Sequence, residues 1–314
     1  MMQPISRAYN EFEVDEKAGI ITKTSAEVKL QDEIDYYKSI PKEYKKHFPK
    51  LIGSSSKDGK HELKLKYIPV QNLGQLMVNR PVDPEFWVNV FSSIKSVLSD
   101  FSKKTVPYTH RYSTSMFIDK TEREYNKLKA DENLQSLFRF PILSINDDDC
   151  HNFDVIWPAV KDLIKSLPPV DYCVIHGDMC FSNILCDTTN GVNLKFIDPR
   201  GSFGAVGHYG DRYYDIAKLM HSIDGGYEYF ISDSFEVKQS YNIITLDYSN
   251  RNKDDIFDIF KQEFSEYDLM RAKLIEGLIY IGMCARHYDS AKRQAAMYST
   301  GIRILNNVIR DTHR

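Results

Sequence analysis

The stretch "VIHGDMCFSNILC" at residues 174–186 sets a histidine, an aspartate and an asparagine within eight residues, flanked by Val174–Ile175 and Ile184–Leu185. The first apolar pair reads as a buried strand entering a loop and the second as a strand leaving it. "GVNLKFID" (191–198) then returns after "TTNG". Asn190-Gly191 is a strong hairpin signal, because a type I′ turn needs positive φ at both central residues. With that turn Thr189 faces Val192, and counting back along both strands Asn183 faces Asp198. Directly opposed residues have Cβ atoms about 4.5–5.5 Å apart, close enough for both side chains to reach one cation. Asp178 lies on the loop feeding the first strand. A carboxylate and an amide oxygen make a hard, oxygen-only site suited to Mg2+ carried with substrate phosphates. Taken singly, each polar residue would be ordinary hairpin punctuation. The apolar flanks, the register and the His-x-Asp-x-x-x-x-Asn spacing together favour an active site.

The rest of the chain bounds the answer. A length of 314 residues suits two domains or one domain of two lobes. Hydrophobic content of 42% and charged content of 27% belong to a globular protein. A formal net charge of −3 argues against a nucleic-acid footprint, which needs a basic excess. Met1 to Phe12 has no apolar secretory core. The longest apolar stretch, "LIEGLIYIGMCA" (274–285), is too short to span a membrane. Five cysteines, an odd set without a CxxC pair, fit reduced thiols better than a disulfide or zinc framework. The expected location is cytoplasmic.

The pattern changes near residue 70. "NEFEVD" (10–15) and "IITKTS" (20–25) read as paired strands, and a helix is expected over 26–39 with Ser25 as N-cap and Pro41 just beyond. "FPKLIGSSS" and "HELKLKYIPV" resemble two more strands. From "LGQLMV" onward the chain is mostly helical, with an expected hairpin at 235–248 and long amphipathic segments at 266–287 and 289–309. The acidic run "NDDD" (146–149) reads as a solvated loop.

The spacing of the opening stretch is that of the kinase catalytic loop: an Asp that takes the substrate hydroxyl proton, an Asn on Mg2+ and a later Asp on Mg2+. "HGDMCFSN", "FIDPRG" and "GDRYYDIAKL" resemble the aminoglycoside phosphotransferase/choline kinase family, the small-molecule branch of the protein-kinase-like fold. The resemblance is concentrated in residues 174–220. Gly177 stands where protein kinases have the arginine of HRD, "DPRG" replaces DFG, and no A-P-E follows, which favours a small-molecule kinase over a protein kinase. The fold implied is a bilobal α+β one, with a strand-rich nucleotide-binding lobe over 1–70, a hinge at about 66–73 and a mainly helical catalytic and substrate-binding lobe over 74–314.

The resemblance calls for a strand lysine held by a helix glutamate. Lys23 alternates with strand-like neighbours, and Leu30, Glu33, Ile34 and Tyr37 share one helix face. Glu33 is thus a charge inside an apolar stripe, costly to bury unless paired, and Lys23 is the natural partner; Glu27 is its rival. No glycine occurs in residues 1–18, so "ISRAYN" (5–10), with Ser6, is left to cover the phosphates. "KYIPV" (66–70) occupies the hinge position, where the backbone of Tyr67 and Ile68 would meet an adenine. His176 and Asp215 are implied to brace the catalytic loop. Cys180 near His176 is no nucleophilic dyad, since no oxyanion signature accompanies it.

The expected chemistry is ATP- and Mg2+-dependent phosphoryl transfer to a small-molecule hydroxyl, with Asp178 as catalytic base, Asn183 and Asp198 on the metal, and Lys23 and Glu33 on the nucleotide. Tyr209, Tyr213 and Tyr214 could contribute to an aromatic cage for choline or ethanolamine, but with 20 tyrosines in the chain packing is the more economical reading. Arg200, two residues past Asp198, points instead to a sugar, polyol or anionic acceptor. "IDPRGSFG", "EIDYYKSIP" and "FPKLI" also resemble kinase-like proteins of bacterial surface-polysaccharide synthesis. A sugar or polyol is favoured over an amino alcohol or an aminoglycoside. The competing readings are a nucleotide-binding pseudokinase regulator and an AMP transferase.

Overall fold

A computed structural model describes residues 11–312. Its N-terminal part is an antiparallel sheet of β1 (Glu11–Asp15), β2 (Ile20–Ser25), β3 (Leu51–Lys57) and β4 (Lys60–Lys66), in the order β1-β2-β4-β3. The alternation that predicted these strands is realised: Lys23 sits on β2 opposite Phe12 of β1 and Leu63 of β4.

Helix α1 (Val28–Ser39) follows β2. Its N-cap is Glu27 and not Ser25, because the Ser25 hydroxyl accepts from the Glu27 amide and so closes a turn one step earlier. The expected stripe of Leu30, Glu33, Ile34 and Tyr37 is buried, and Tyr36 joins it. The Tyr36 hydroxyl donates to the Ile175 carbonyl at 3.0 Å, tying α1 to the segment that enters the 176–183 loop. The Asp32 carbonyl lies where a Cβ on Gly201 would come within 2.2 Å of it, and Gly201 has φ +69. Only glycine fits there, so α1 also rests directly on the chain beyond Asp198.

One apolar core runs from Leu30, Ile34 and Leu63 through Trp87 and Phe91 to Met179, Phe181 and Phe196. The packing is therefore continuous across residue 70. A second core, around Phe153, Tyr280 and Tyr298, fills the distal helical part. Its axis is the helix Leu269–Cys284, buried over most of its length, packed beside the final helix Ala291–Thr312. No helix among the described residues is long and apolar enough to cross a membrane. All five cysteines are free and buried.

The hairpin expected at 235–248 forms from Phe235–Ser240 and Ile243–Tyr248. It joins Ile142–Ile145 and Asp148–His151 in a four-stranded sheet that the sequence did not announce. The acidic run is corrected here. Asn146 (φ +50) and Asp147 (φ +65) form the tight turn of this second hairpin, and Asp148, on a strand, pairs with Arg310 at 2.9 Å. Both residue types tolerate left-handed backbone, which is what a type I′ turn requires.

Candidate active site

The hairpin of 184–196 pairs Ile184 with Phe196, Leu185 with Lys195, Cys186 with Leu194 and Asp187 with Asn193. The Ile197 amide donates to the Asn183 carbonyl at 3.0 Å, so Asn183 faces Ile197 and not Asp198. The predicted register is one residue out. The cause is Asp187, whose carboxylate accepts from both the amide (2.9 Å) and the hydroxyl (2.6 Å) of Thr189. That side-chain turn pre-empts the two-residue Asn-Gly turn and leaves residues 188–192 as the connection. Only Gly191 of the expected pair has positive φ.

A one-residue slip reverses which face each strand residue presents. Asp198 is returned to the site by its own backbone, which leaves the strand at φ +57, and its Oδ1 lies 3.1 Å from the Lys23 ammonium. Lys23 also donates to Glu33 Oε2 at 2.7 Å. The pairing expected from the apolar stripe is thus present, and Lys23 bridges α1 to Asp198. Burial disfavours the Lys23 charge, but Asp198 and then Glu33 override it and raise the group. Burial likewise pushes Glu33 up to about 7 against the pull of Lys23, and its Oε1 is buried without a partner.

Asn183 reaches back to Asp178, donating from Nδ2 to its carbonyl at 2.9 Å and to its carboxylate at 3.3 Å. The other Asp178 oxygen lies 2.8 Å from Lys218, which is 5% exposed. Lys218 was missed in the sequence, although "DIAKLM" gives the same signal as Glu33: a charge in an apolar helix face needs a partner. Asp178 raises the Lys218 ammonium against its burial.

Asp215 accepts from the His176 and Gly177 amides, both at 2.7 Å, while burial pushes its carboxyl up to about 7. This is the bracing geometry the resemblance implied. Ser222 and Glu228, unnoticed in the sequence, brace the same loop by accepting from the Phe181 and Ser182 amides. Gly177, at φ +77, leaves room for the stem of Arg200, which a Cβ would approach to 2.7 Å. The Arg200 amide in turn donates to the His176 carbonyl.

His176 Nδ1 accepts from the Asp178 amide at 3.2 Å, so the ring proton belongs on Nε2, 3.0 Å from the Ile197 carbonyl. The ring is fully buried and neutral, its pKa lowered by that burial to about 4. It is committed at both nitrogens and positions the loop. The unfolded chain takes up a proton first as pH falls, so this group's contribution is fully present above about 6.5. It is lost as pH drops toward 4, an effect of up to about 3 kcal/mol. We expect the stability lead of the wild type over His176→Gln to shrink between about pH 7.5 and about pH 5 in denaturant titrations. A constant or growing lead would contradict the neutral ring.

Other expectations divide. The Tyr67 amide donates to the Gly19 carbonyl at 2.8 Å and is spent within the sheet, which removes it from the donors an adenine could use. Ile68 follows in the connection before the helix Leu73–Asn79, its carbonyl accepting from the Val70 amide at 2.9 Å. Ser6 lies outside the described residues. Burial pushes the Cys180 thiol far up, as rejection of a Cys-His dyad requires. Tyr214 is packed, as the abundance of tyrosine suggests: it is 2% exposed, and its hydroxyl accepts from Arg200 (3.1 Å) and Lys120 (3.4 Å), while Tyr209 and Tyr213 are half-buried. Among the described residues no three His, Cys, Asp or Glu side chains cluster as a self-sufficient metal site. Asn183 and Asp198 offer an amide and a carboxylate oxygen, the hard donor type that Mg2+ takes together with phosphates.

No protein-family profile matches this chain, and no curated protein is significantly similar in sequence. The fold, by contrast, has clear relatives. The crystal structure of aminoglycoside phosphotransferase APH(4)-Ia superposes with a TM-score of 0.59 at 11% identity, covering 98% of this chain and 92% of that one. A thermostable mutant of the same enzyme, in ternary complex with ADP and hygromycin B, gives 0.57 at 10% identity, covering 93% and 86%. The chain therefore has the protein-kinase-like α+β fold of the aminoglycoside phosphotransferases.

Proposed function

We propose that this protein is an ATP-dependent small-molecule kinase that transfers the γ-phosphoryl group to an alcohol, most economically a sugar or polyol. The observation that carries the reading is the bridge Glu33–Lys23–Asp198, set beside Asp178 and Asn183 on a braced loop. In this fold, phosphate grip, metal oxygens and base come from those positions.

The nucleotide binds against Lys23, whose ammonium is oriented by Glu33. Asn183 and Asp198 would hold Mg2+, which would supply charge neutralisation on the phosphates. Asp178 accepts the proton of the acceptor hydroxyl. That oxygen forms a bond to the γ-phosphorus as the bond to the β-bridging oxygen breaks, and ADP departs with the electron pair. Alignment and charge neutralisation supply most of the acceleration. The Arg200 and Lys218 cations beside Asp178 disfavour an amino alcohol or an aminoglycoside, whose charge they would repel.

The test incubates the full chain with Mg-ATP and a panel of sugars, polyols, amino alcohols and aminoglycosides, reading ADP release and product mass. Gain of phosphate on a hydroxyl compound is expected. Gain of AMP would make the protein a nucleotidyl transferase, and nucleotide binding without any product would make it a regulator; either overturns the proposal.

A further inference from the structure

Near Asp178, four cations from separate parts of the chain converge. Lys218 comes from the helix Arg212–Ile223, Lys120 from the start of Lys120–Lys129, Arg200 from beyond Asp198, and Arg286 from just past Leu269–Cys284. Lys120 and Arg200 meet over one residue: both donate to the Tyr214 hydroxyl, and each lies 5.8 Å from its ring centroid. Burial holds the Lys120 ammonium well below its usual range, reinforced by the Arg200, Arg286 and Lys218 charges and opposed by Asp178. Asp178 is matched by Lys218. Glu124 pairs with Arg123 and Lys127 and also feels the Arg286 charge, and Asp32 feels the Arg200 charge without an ion pair. Among the described residues no carboxylate lies within ion-pair distance of Lys120, Arg200 or Arg286. Arg200 Nε is buried without a partner. Lys120 directly follows the single π-helical segment among the described residues, Ser115–Asp119, a rare form that recurs at functional sites.

Clustered, partly desolvated cations are costly unless an anion completes them. We propose that the acceptor bound beside Asp178 carries an anionic group, a phosphate or a carboxylate, held by Lys120 and Arg200 across the Tyr214 hydroxyl. This narrows the kinase reading and rests on it. Planar Arg200 supplies a fork for two anion oxygens, and Lys120 a point charge. The hydroxyl to be phosphorylated then lies a few bonds from the anion, which fixes it over Asp178.

The experiment has two arms. In the first, ADP release is compared for neutral hexoses, their uronates, their monophosphates and aminoglycosides. At least tenfold higher kcat/KM is expected for an anionic member over its neutral parent, and at least a tenfold rise in its KM in Lys120→Gln and Arg200→Gln. Preference for neutral or cationic acceptors overturns the inference and leaves the kinase reading intact. The uronate and monophosphate series separate carboxylate from phosphate. The second arm needs no turnover: calorimetric binding of inorganic phosphate and of a hexose monophosphate to the wild type and both variants, with and without saturating Mg-AMP-PNP. Binding that persists beside the nucleotide and is lost in the variants supports the anion site even if the kinase reading fails. Absent binding, binding unchanged in the variants, or binding abolished by Mg-AMP-PNP overturns it, the last because the cations would then serve the γ-phosphate.

Discussion

Asp178→Asn is expected to lower kcat by about 10²–10⁴-fold, the usual worth of a positioned general base, while Mg-ATP affinity stays within about threefold. The substitution is nearly isosteric and keeps an oxygen for the Asn183 amide, so the hydrogen bonds of the loop survive. What disappears is the proton acceptor facing the substrate. Lys218 also loses its counter-charge, and a buried ammonium without one destabilises the helix Arg212–Ile223. The same preparation therefore needs a denaturant midpoint and a calorimetric nucleotide titration, so that a folding defect is not read as lost chemistry. Unchanged turnover in a folded, nucleotide-binding variant would remove Asp178 from the reaction.

Lys23→Met should act on the other half of the site. Methionine preserves the length and apolar stem of the lysine and removes its charge. Expected losses are a raised KM for ATP together with a lower kcat, about 10²–10³-fold in kcat/KM, or about 3–4 kcal/mol of transition-state stabilisation. Stability should fall as well, since Glu33, already pushed to about 7 by burial, loses the cation that opposes that shift while Asp198 stays nearby. The double variant Lys23→Met/Glu33→Leu separates the two effects. An apolar pair can replace a buried ion pair at little cost, so the unfolding midpoint should recover while turnover does not. An unchanged KM for ATP in either variant would mean that Lys23 does not grip the nucleotide.

The parts of this site that were legible in the sequence share a local signature. Glu33 interrupts an apolar helix stripe only ten residues from its partner, and the hydrophobic alternation of β2 fixes where Lys23 points. The loop was legible because its polar residues are few, closely spaced and apolar-flanked. The hairpin register was misread because Asn190-Gly191 competes with Asp187, whose bonds to Thr189 form sooner along the chain and set a longer connection. A dipeptide preference and a side-chain turn are both local, and nothing in the sequence ranks them. The type I′ geometry appears instead at Asn146–Asp147, hidden in what reads as an acidic run. Lys120 and Arg286 were invisible for another reason. Their meeting with Arg200 depends on how three distant segments pack, and no spacing within any one of them encodes it.

The Tyr36–Ile175 bond and the close seat of Asp32 on Gly201 bear on how costly it is to make the site ready. A helix that must swing inward to complete a lysine–glutamate contact spends part of each ligand's affinity on that movement. Here α1 is set in the same apolar core as the catalytic loop. On the proposed kinase reading, the work of organising the phosphate grip would therefore be done when the chain folds, and an arriving nucleotide would meet a preorganised receptor with its full intrinsic affinity available.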